Sequence, residues 1–234
     1  MKCDPIAVVR SCFAGKFGVP RQPGLSPAAW GELIFHERYR SREAVRGLEG
    51  FSHLWLIFGF HQTVEEGWRP TVRPPRLGGD ERVGVFASRS TYRPNGLGLS
   101  AVRLEGIDLE HPEGPVLRLG GVDLVDGTPV FDIKPYLAYS DSIPDAVSGY
   151  APEKPELLTV VVDAQAEAAF AVIPERSKAV IAEVLALDPR PAVRKEEGRA
   201  HGATLCGMNV RFQVVDGVCR ILEIKPEMGS GLND

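Results

Sequence analysis

Within RPNGLGLSAVRL, residues 93–104, Gly96, Gly98 and Ala101 fit the Gly-x-Gly-x-x-Gly/Ala spacing that lets a backbone approach a pyrophosphate. Arg89 and Arg93 precede it, and on a regular strand positions four apart share a face. Together such a set would hold an anion, a phosphate or a carboxylate, through forked charge-assisted hydrogen bonds. Asp126-Gly127-Thr128-Pro129 is a turn sequence in its own right, whose Asp commonly bonds its own backbone. His53 and His61 bracket an apolar run with no H-x-x-H spacing and no Cys partner, so they read as core or hydrogen-bonding histidines and no metal site is expected. Cys3, Cys12, Cys206 and Cys219 lack any C-x-x-C spacing and read as free, structural thiols.

The elements around the glycines decide what they do. A dinucleotide loop needs a helix that opens at its last small residue and aims its N-terminus at the phosphates. Here SAVRLEGIDLE alternates like a strand and Gly106 interrupts any helix. The phosphate-loop reading therefore gives way to an Asn-Gly turn leading into a strand, with Gly96 and Gly98 admitting a ligand or a neighbouring backbone.

PIAVVR reads as an opening strand, and FGVPRQPGLSP as a Gly/Pro loop. SREAVRGLEGF suggests a short helix capped by Ser41, and FSHLWLIFGFH a strand buried on both faces. VGVFASRS, LSAVRLEGIDLE and PVLRLGGVDLV add further strands. Strands follow one another with hardly a helix between them, which points to a barrel or sandwich and not to βαβ units. After Tyr150, APEKPE is a linker. Beyond it ERSKAVIAEVLAL carries a helical stripe of Val180, Ile181, Val184 and Leu185, and NVRFQVVDGVCRILEIK is a hairpin around Asp216-Gly217. The expected organisation is a mainly β domain, residues 1–152, and a small α+β domain, residues 153–234.

Hydrophobic residues at 44% and charged ones at 25% place the chain among ordinary globular proteins. The longest apolar stretch, Leu54 to Phe60, is far short of a membrane span, and the first residues lack a signal-peptide core, so a cytoplasmic protein is expected. The net charge of −4 argues against coating nucleic acid, yet arginines 69, 73, 76, 82, 89 and 93 face only Asp80 and Glu81 in their stretch. An RNA backbone or another anion suits that half; a solvated face is the competing account.

Five collinear blocks go further: VRGLEGFSHLWLIFGFHQ, TVRPPRLGG, GVFASRSTYRPN, RPNGLGLSAVRL and DLVDGTPVFDIKPYL. With these the chain resembles the TsaA-like proteins, and among them the TrmO (YaeB) tRNA methyltransferases. The likeness extends through LDPRPAVRK and the NVRF strand. The one departure is Gly96-Leu97 after RPN, where the family usually has Pro followed by Ile or Leu. The resemblance implies an N-terminal β-barrel that binds S-adenosylmethionine without a Rossmann domain, a small α+β C-terminal domain that aids tRNA binding, and a homodimer. It implies methylation of N6 of threonylcarbamoyladenosine beside the anticodon. A non-catalytic sensor of S-adenosylmethionine or RNA on the same scaffold is the rival class.

By the same resemblance, cofactor contacts fall on Pro20, Arg21, Gln22, His61, Gln62, Arg89, Leu99, Asp126, Gly127, Thr128 and Pro129. These types suit the cofactor: apolar walls and amides for adenine, a cation for the carboxylate, oxygens for the sulfonium. The tRNA footprint, read from the clustering of basic residues, falls on Arg69, Arg73, Arg76, Arg93, Arg190, Arg194, Lys195 and Arg211, with ion pairing to Asp188, Glu196 and Glu197 the competing account for the C-terminal ones. Asp126, Asp132, His61 and Tyr136 are candidates to receive the N6 proton, although Asp132 is better suited to a structural role, pairing with Lys134 or holding Tyr136. No residue is singled out as the catalytic base. Tyr92 and Tyr136 are candidates to stack the target base, or core residues.

Overall fold

The computed structural model describes residues 3–191 and 196–227 and separates the chain into two compact units. The first comprises Met1–Arg10, Gly31–Gly120 and Gly127–Lys154; the second comprises Ser11–Trp30, Gly121–Asp126 and Pro155–Asp234. The main boundary thus lies at 154/155, but Ser11–Trp30 and Gly121–Asp126 join the C-terminal unit, a placement no local sequence pattern announces.

The first unit is built on a closed six-stranded barrel. Its strands are β1 (Ala7–Ser11), β2 (Trp30–Phe35), β3 (His53–Gly59), β6 (Leu97–Asp108), β7 (Val116–Gly120) and β8 (Thr128–Pro135), in the order β1-β2-β7-β6-β3-β8. β4 (Thr71–Val72) and β5 (Val83–Gly84) form a separate ribbon. β3 pairs antiparallel with both β6 and β8, β8 with β1, and β6 with β7. Closure removes the unpaired edges that an open sheet would expose. Inward positions alternate along each strand: Val9, Leu33, Leu54, Leu56, Val102, Leu117, Leu119 and Val130 are buried and fill the interior. A register shift between Leu104 and Gly106 bends the long strand β6, which explains the glycine inside its alternating pattern.

Three expectations change here. The run HLWLIFG is buried on one face only: Leu54, Leu56 and Phe58 point inward while Trp55 and Ile57 are half-exposed on the barrel wall. The Ser41 helix is replaced by two 3-10 turns, Arg42–Val45 and Leu48–Gly50, because Gly47 adopts φ +87 between them and the Ser41 side chain makes no cap. In VGVFASRS only Val83–Gly84 is strand, and Val85–Ala87 turns as a 3-10 helix.

The second unit holds a four-stranded sheet, order β10-β11-β12-β9, from β9 (Thr159–Val162), β10 (Ala200–Leu205), β11 (Met208–Val215) and β12 (Val218–Pro226). β9 lies parallel to β12, and the other pairs are antiparallel. Between β9 and β10 come the helices α2 (Ala164–Ala171) and α3 (Glu175–Ala186), the one-turn α1 (Ala138–Asp141) belonging to the first unit. The stripe Val180, Ile181, Val184 and Leu185 on α3 is fully buried, each side chain contributing roughly 1.5–3 kcal/mol of transfer free energy. Glu183, on the same helix, explains why the early loop belongs to this unit: its Oε2 accepts from Ser26 Oγ at 2.7 Å and Ala28 N at 2.9 Å. Backbone bonds Gly24 N to Gly121 O (2.8 Å), Gly121 N to Ala29 O (2.7 Å) and Asp126 N to Phe13 O (2.8 Å) bring in the other inserted segment.

Candidate active site

The end of β3 and the starts of β6 and β8 lie side by side at one end of the barrel. Phe58 stands opposite Gly98 and Gly59 opposite Leu97, and Phe60 N donates to Gly96 O at 2.8 Å. On the other side Phe58 stands opposite Val130, and β1 places Val9 opposite Thr128. Five of the residues assigned from the sequence sit on these strand ends: His61 and Gln62 just past β3, Leu99 on β6, and Thr128 and Pro129 opening β8. Gly127, with φ +77, turns the chain into β8 and donates its N–H to Val9 O at 2.9 Å.

The glycine motif now has a physical account. Arg93-Pro94-Asn95-Gly96 is a β-turn closed by Gly96 N to Arg93 O at 3.0 Å, and Gly96 takes φ +58 at its last position. Gly98 answers a different need: a Cβ there would lie 2.3 Å from Phe58 Cζ, so the interior ring packs directly on the β6 backbone. Neither glycine cradles a phosphate. Past the turn, Leu97 and Leu99 are 43% and 54% exposed while Ser100 is buried, so β6 presents an apolar outer wall at this end. Such a wall fits an adenine ring.

Arg89 and Arg93 do not share a strand face, because residues 85–93 are not a strand. Arg93 Nη1 donates to Ser88 O at 2.6 Å and Val85 O at 3.2 Å, and its guanidinium lies 5.9 Å from the Phe86 ring centre. Ser88 Oγ also donates to Val85 O, at 2.8 Å. The carbonyls that a 3-10 turn leaves without ladder partners recruit Arg93 as a brace, and Arg89 stands exposed on the braced loop.

The remaining assigned residues divide by unit. In the first, Arg69 pairs with Glu66 at 3.3 Å and covers one face of Tyr92 at 4.1 Å from the ring centre, while the Tyr92 hydroxyl donates to Glu66 Oε2 at 2.9 Å. That bond, with some desolvation, raises the Tyr92 pKa. Arg76 donates to Glu153 O at 2.6 Å, and Arg73 is exposed. In the second unit Pro20 is buried, Arg21 exposed and Gln22 half-buried. Asp126 Oδ1 accepts from Ser11 N at 2.9 Å, so this carboxylate anchors a segment distant in sequence. Arg190 is only 6% exposed, its Nε and Nη2 donating to Asp188 at 2.7 and 3.0 Å, an arrangement in which the guanidinium is held within the protein. Arg211 is exposed on β11 opposite Glu223. Arg194 and Lys195 lie outside the described residues.

Asp132 is exposed, stands opposite Ile57, and accepts from Ile133 N at 2.9 Å; it bonds neither Lys134 nor Tyr136. Tyr136 belongs to an aromatic cluster on the outer wall, 5.7 Å from Trp55 and 6.2 Å from His53 between ring centres. Trp55 Nε1 donates to Asp141 Oδ2 at 2.9 Å, and so does Leu137 N at 2.8 Å, fixing the cluster where β8 ends. The sequence reading missed this group; the outward alternation of His53, Trp55 and Ile57 was its signal. Among the described residues no group of three or more His, Cys, Asp or Glu is arranged to hold a metal ion. A groove of about 510 Å³ beside the β6 bulge, lined by Val45, Phe51 and Ile107 among others, includes none of the assigned residues.

Two family models match the chain: the tRNA-methyltransferase O N-terminal domain over residues 8–142 and the TrmO C-terminal domain over residues 155–227. The chain is 49% identical over 229 residues to the tRNA (adenine(37)-N6)-methyltransferase of Escherichia coli K12, covering 95% of this chain and 97% of that one. It is 47% identical over 214 residues to a putative S-adenosylmethionine-dependent methyltransferase of Pseudomonas aeruginosa, covering 89% and 90%. A crystal structure of TrmO from P. aeruginosa superposes with a TM-score of 0.79 at 39% identity, over 96% of this chain and 98% of that one.

Proposed function

The chain belongs to the tRNA-methyltransferase O family, and on that premise we propose that it moves the methyl group of S-adenosylmethionine to N6 of adenine 37 in tRNA, where that adenine carries a threonylcarbamoyl group. The observation that carries this reading is the near full-length likeness across both domains to the E. coli enzyme. The cofactor supplies, when bound, a methyl group already activated for in-line displacement.

The chain's own residues then have to bind, orient and exclude water. We assign the cofactor contacts in the first unit to His61, Gln62, Arg89, Leu99, Gly127, Thr128 and Pro129. The exposed apolar wall of Leu97 and Leu99 receives the adenine, the amide of Gln62 supplies hydrogen bonds, and the Arg89 guanidinium pairs with the carboxylate. The N6 proton is acidified by the attached carbamoyl carbonyl. A weak acceptor therefore suffices; exposed His61 and Asp132 are such acceptors, and so is water. The tRNA backbone is met by exposed arginines, with Arg73 in the first unit and Arg211 in the second, and the Trp55–Tyr136–His53 cluster offers a ring for an unstacked base.

Incubation with labelled S-adenosylmethionine and total tRNA from cells with or without the threonylcarbamoyl modification is expected to label only the modified RNA. Equal labelling of both pools refutes the substrate, and cofactor binding with no transfer to any RNA establishes the sensor instead.

A cytoplasmic homodimer completes the reading. Val64, Trp68 and Phe86 of the first unit are 66%, 55% and 75% exposed, a set of large apolar side chains that a second copy would cover. Sedimentation at micromolar concentration is expected to return twice the chain mass, with Phe86→Asp shifting the protein to the monomer; a monomeric wild type refutes the dimer.

A further inference from the structure

Two of the four cysteines, far apart in sequence, meet within the second unit. Cys206 N donates to Cys12 O at 2.9 Å, and the two thiols lie close enough to perturb each other's ionisation. A single backbone bond of this kind brings the two Cα atoms into the range that a disulfide spans. Cys12 is 4% exposed, whereas Cys206 is half-exposed at the tip of a hairpin and reachable by a small reagent.

The backbone at Cys206 is itself unusual. Cys206-Gly207 is the two-residue loop between β10 and β11, with φ of +52 and +69, the conformation that favours Asn-Gly or Asp-Gly. The neighbouring hairpin, between β11 and β12, meets the same demand with Asp216-Gly217, at φ +49 and +72. A cysteine in the left-handed region is strained, so this thiol is held where its backbone is disfavoured.

Around it stand groups that favour the thiolate. The Cys206 thiol lies below the usual range, chiefly through the hydrogen bond from Cys12, with further help from the Ser177 side chain and the Arg176 charge and against its own burial. Cys12 is pushed the other way, by acting as donor to Cys206 and then by burial. Cys206, the half-exposed sulfur, is therefore the one a reagent meets first, and the 4%-exposed Cys12 stands behind it. Cys219, by contrast, is buried and pushed up to about 12 by desolvation, which makes it inert.

We propose that Cys206 and Cys12 are a peroxide-sensitive pair, Cys206 the reacting sulfur and Cys12 the resolving one. In the first step the Cys206 thiolate attacks a hydroperoxide: its sulfur gains the distal oxygen, the O–O bond breaks, and an alkoxide or hydroxide leaves and is protonated by water. In the second, the Cys12 sulfur displaces that oxygen from the Cys206 sulfenic acid, its own proton leaves with the oxygen as water, and the disulfide remains. Two electrons pass from the two thiols to the peroxide, and an external thiol reverses the change. The bond fastens the 11–30 segment, which carries Pro20, Arg21 and Gln22, to the β10–β11 hairpin of the same unit. In a reducing compartment such a disulfide is transient, which suits a sensor better than a staple.

The reduced full-length protein, treated with an equimolar amount of hydrogen peroxide and mapped as non-reduced peptides, is expected to lose two hydrogen masses and yield the Cys12–Cys206 cross-linked peptide, restored by dithiothreitol. Cys12→Ser should stop at a sulfenic acid on Cys206 that dimedone traps, and Cys3→Ser should leave the cross-link unchanged. A wild-type map in which Cys206 stays a thiol, or is oxidised no faster than Cys219, overturns the proposal, and this holds even where Cys12→Ser fails to fold. The outcome is independent of whether the protein methylates RNA.

Discussion

Gly98→Val is expected to lower stability by about 3 kcal/mol, read as a fall of about 6–12 °C in the melting midpoint of the first unit. An added Cβ would sit 2.3, 2.5 and 2.9 Å from Cζ, Cε2 and Cε1 of Phe58. The ring has little room to withdraw, being 5% exposed and packed edge-on against Phe60 at 5.2 Å between centres. Nor can β6 slide away, because Gly98 is paired with Phe58 itself in the β3 ladder. Gly96→Ala is the control: a Cβ there meets nothing within 4 Å, and only its φ of +58 is penalised, by about 1–2 kcal/mol. Equal losses at the two positions would show that the Phe58 ring yields to the added side chain and that its packing does not require the glycine.

That contrast marks what a sequence can and cannot say. Alternation and helical periodicity made β6, the α3 stripe and the Asp216-Gly217 hairpin legible, since each is set by residues within a few positions of one another. The need for a glycine at 98 is set by a ring on another strand, and no local pattern carries it. The same holds for the early Gly/Pro loop, drawn into the second unit by Glu183 on α3, and for Cys12 and Cys206, joined only by the fold. VGVFASRS misled because its alternation is real but its carbonyls are satisfied by Arg93 and serine hydroxyls instead of a partner strand. Arg93 and Arg190 read as RNA contacts by charge alone, and the structure shows both guanidinium groups bound to protein oxygens.

Charge alone therefore cannot assign the arginines, and Arg89 and Arg73 separate the two anions in the proposed reaction. Arg89→Ala is expected to raise the Kd for S-adenosylmethionine about tenfold or somewhat more. This is the lower part of the range for a hydrogen bond between charged groups, since the side chain is exposed. Arg89→Lys keeps the charge but loses the planar fork and should recover only part of the affinity. Thermal stability should move by no more than a typical surface substitution, about 0.5 kcal/mol, because the side chain is exposed. Arg73→Ala, also at an exposed position, should leave cofactor affinity untouched, weaken tRNA binding and reduce by about one the slope of log K against log salt, as loss of one phosphate contact requires. Calorimetric titration of the cofactor and filter binding of tRNA across a salt series distinguish the two. The reverse pattern, with Arg89 governing the salt slope and Arg73 the cofactor, would place the carboxylate beside the β4–β5 ribbon and remove Leu99 from the adenine wall. The braced 85–93 loop would then be an RNA contact, held rigid by Arg93 for a phosphate instead of a methyl donor.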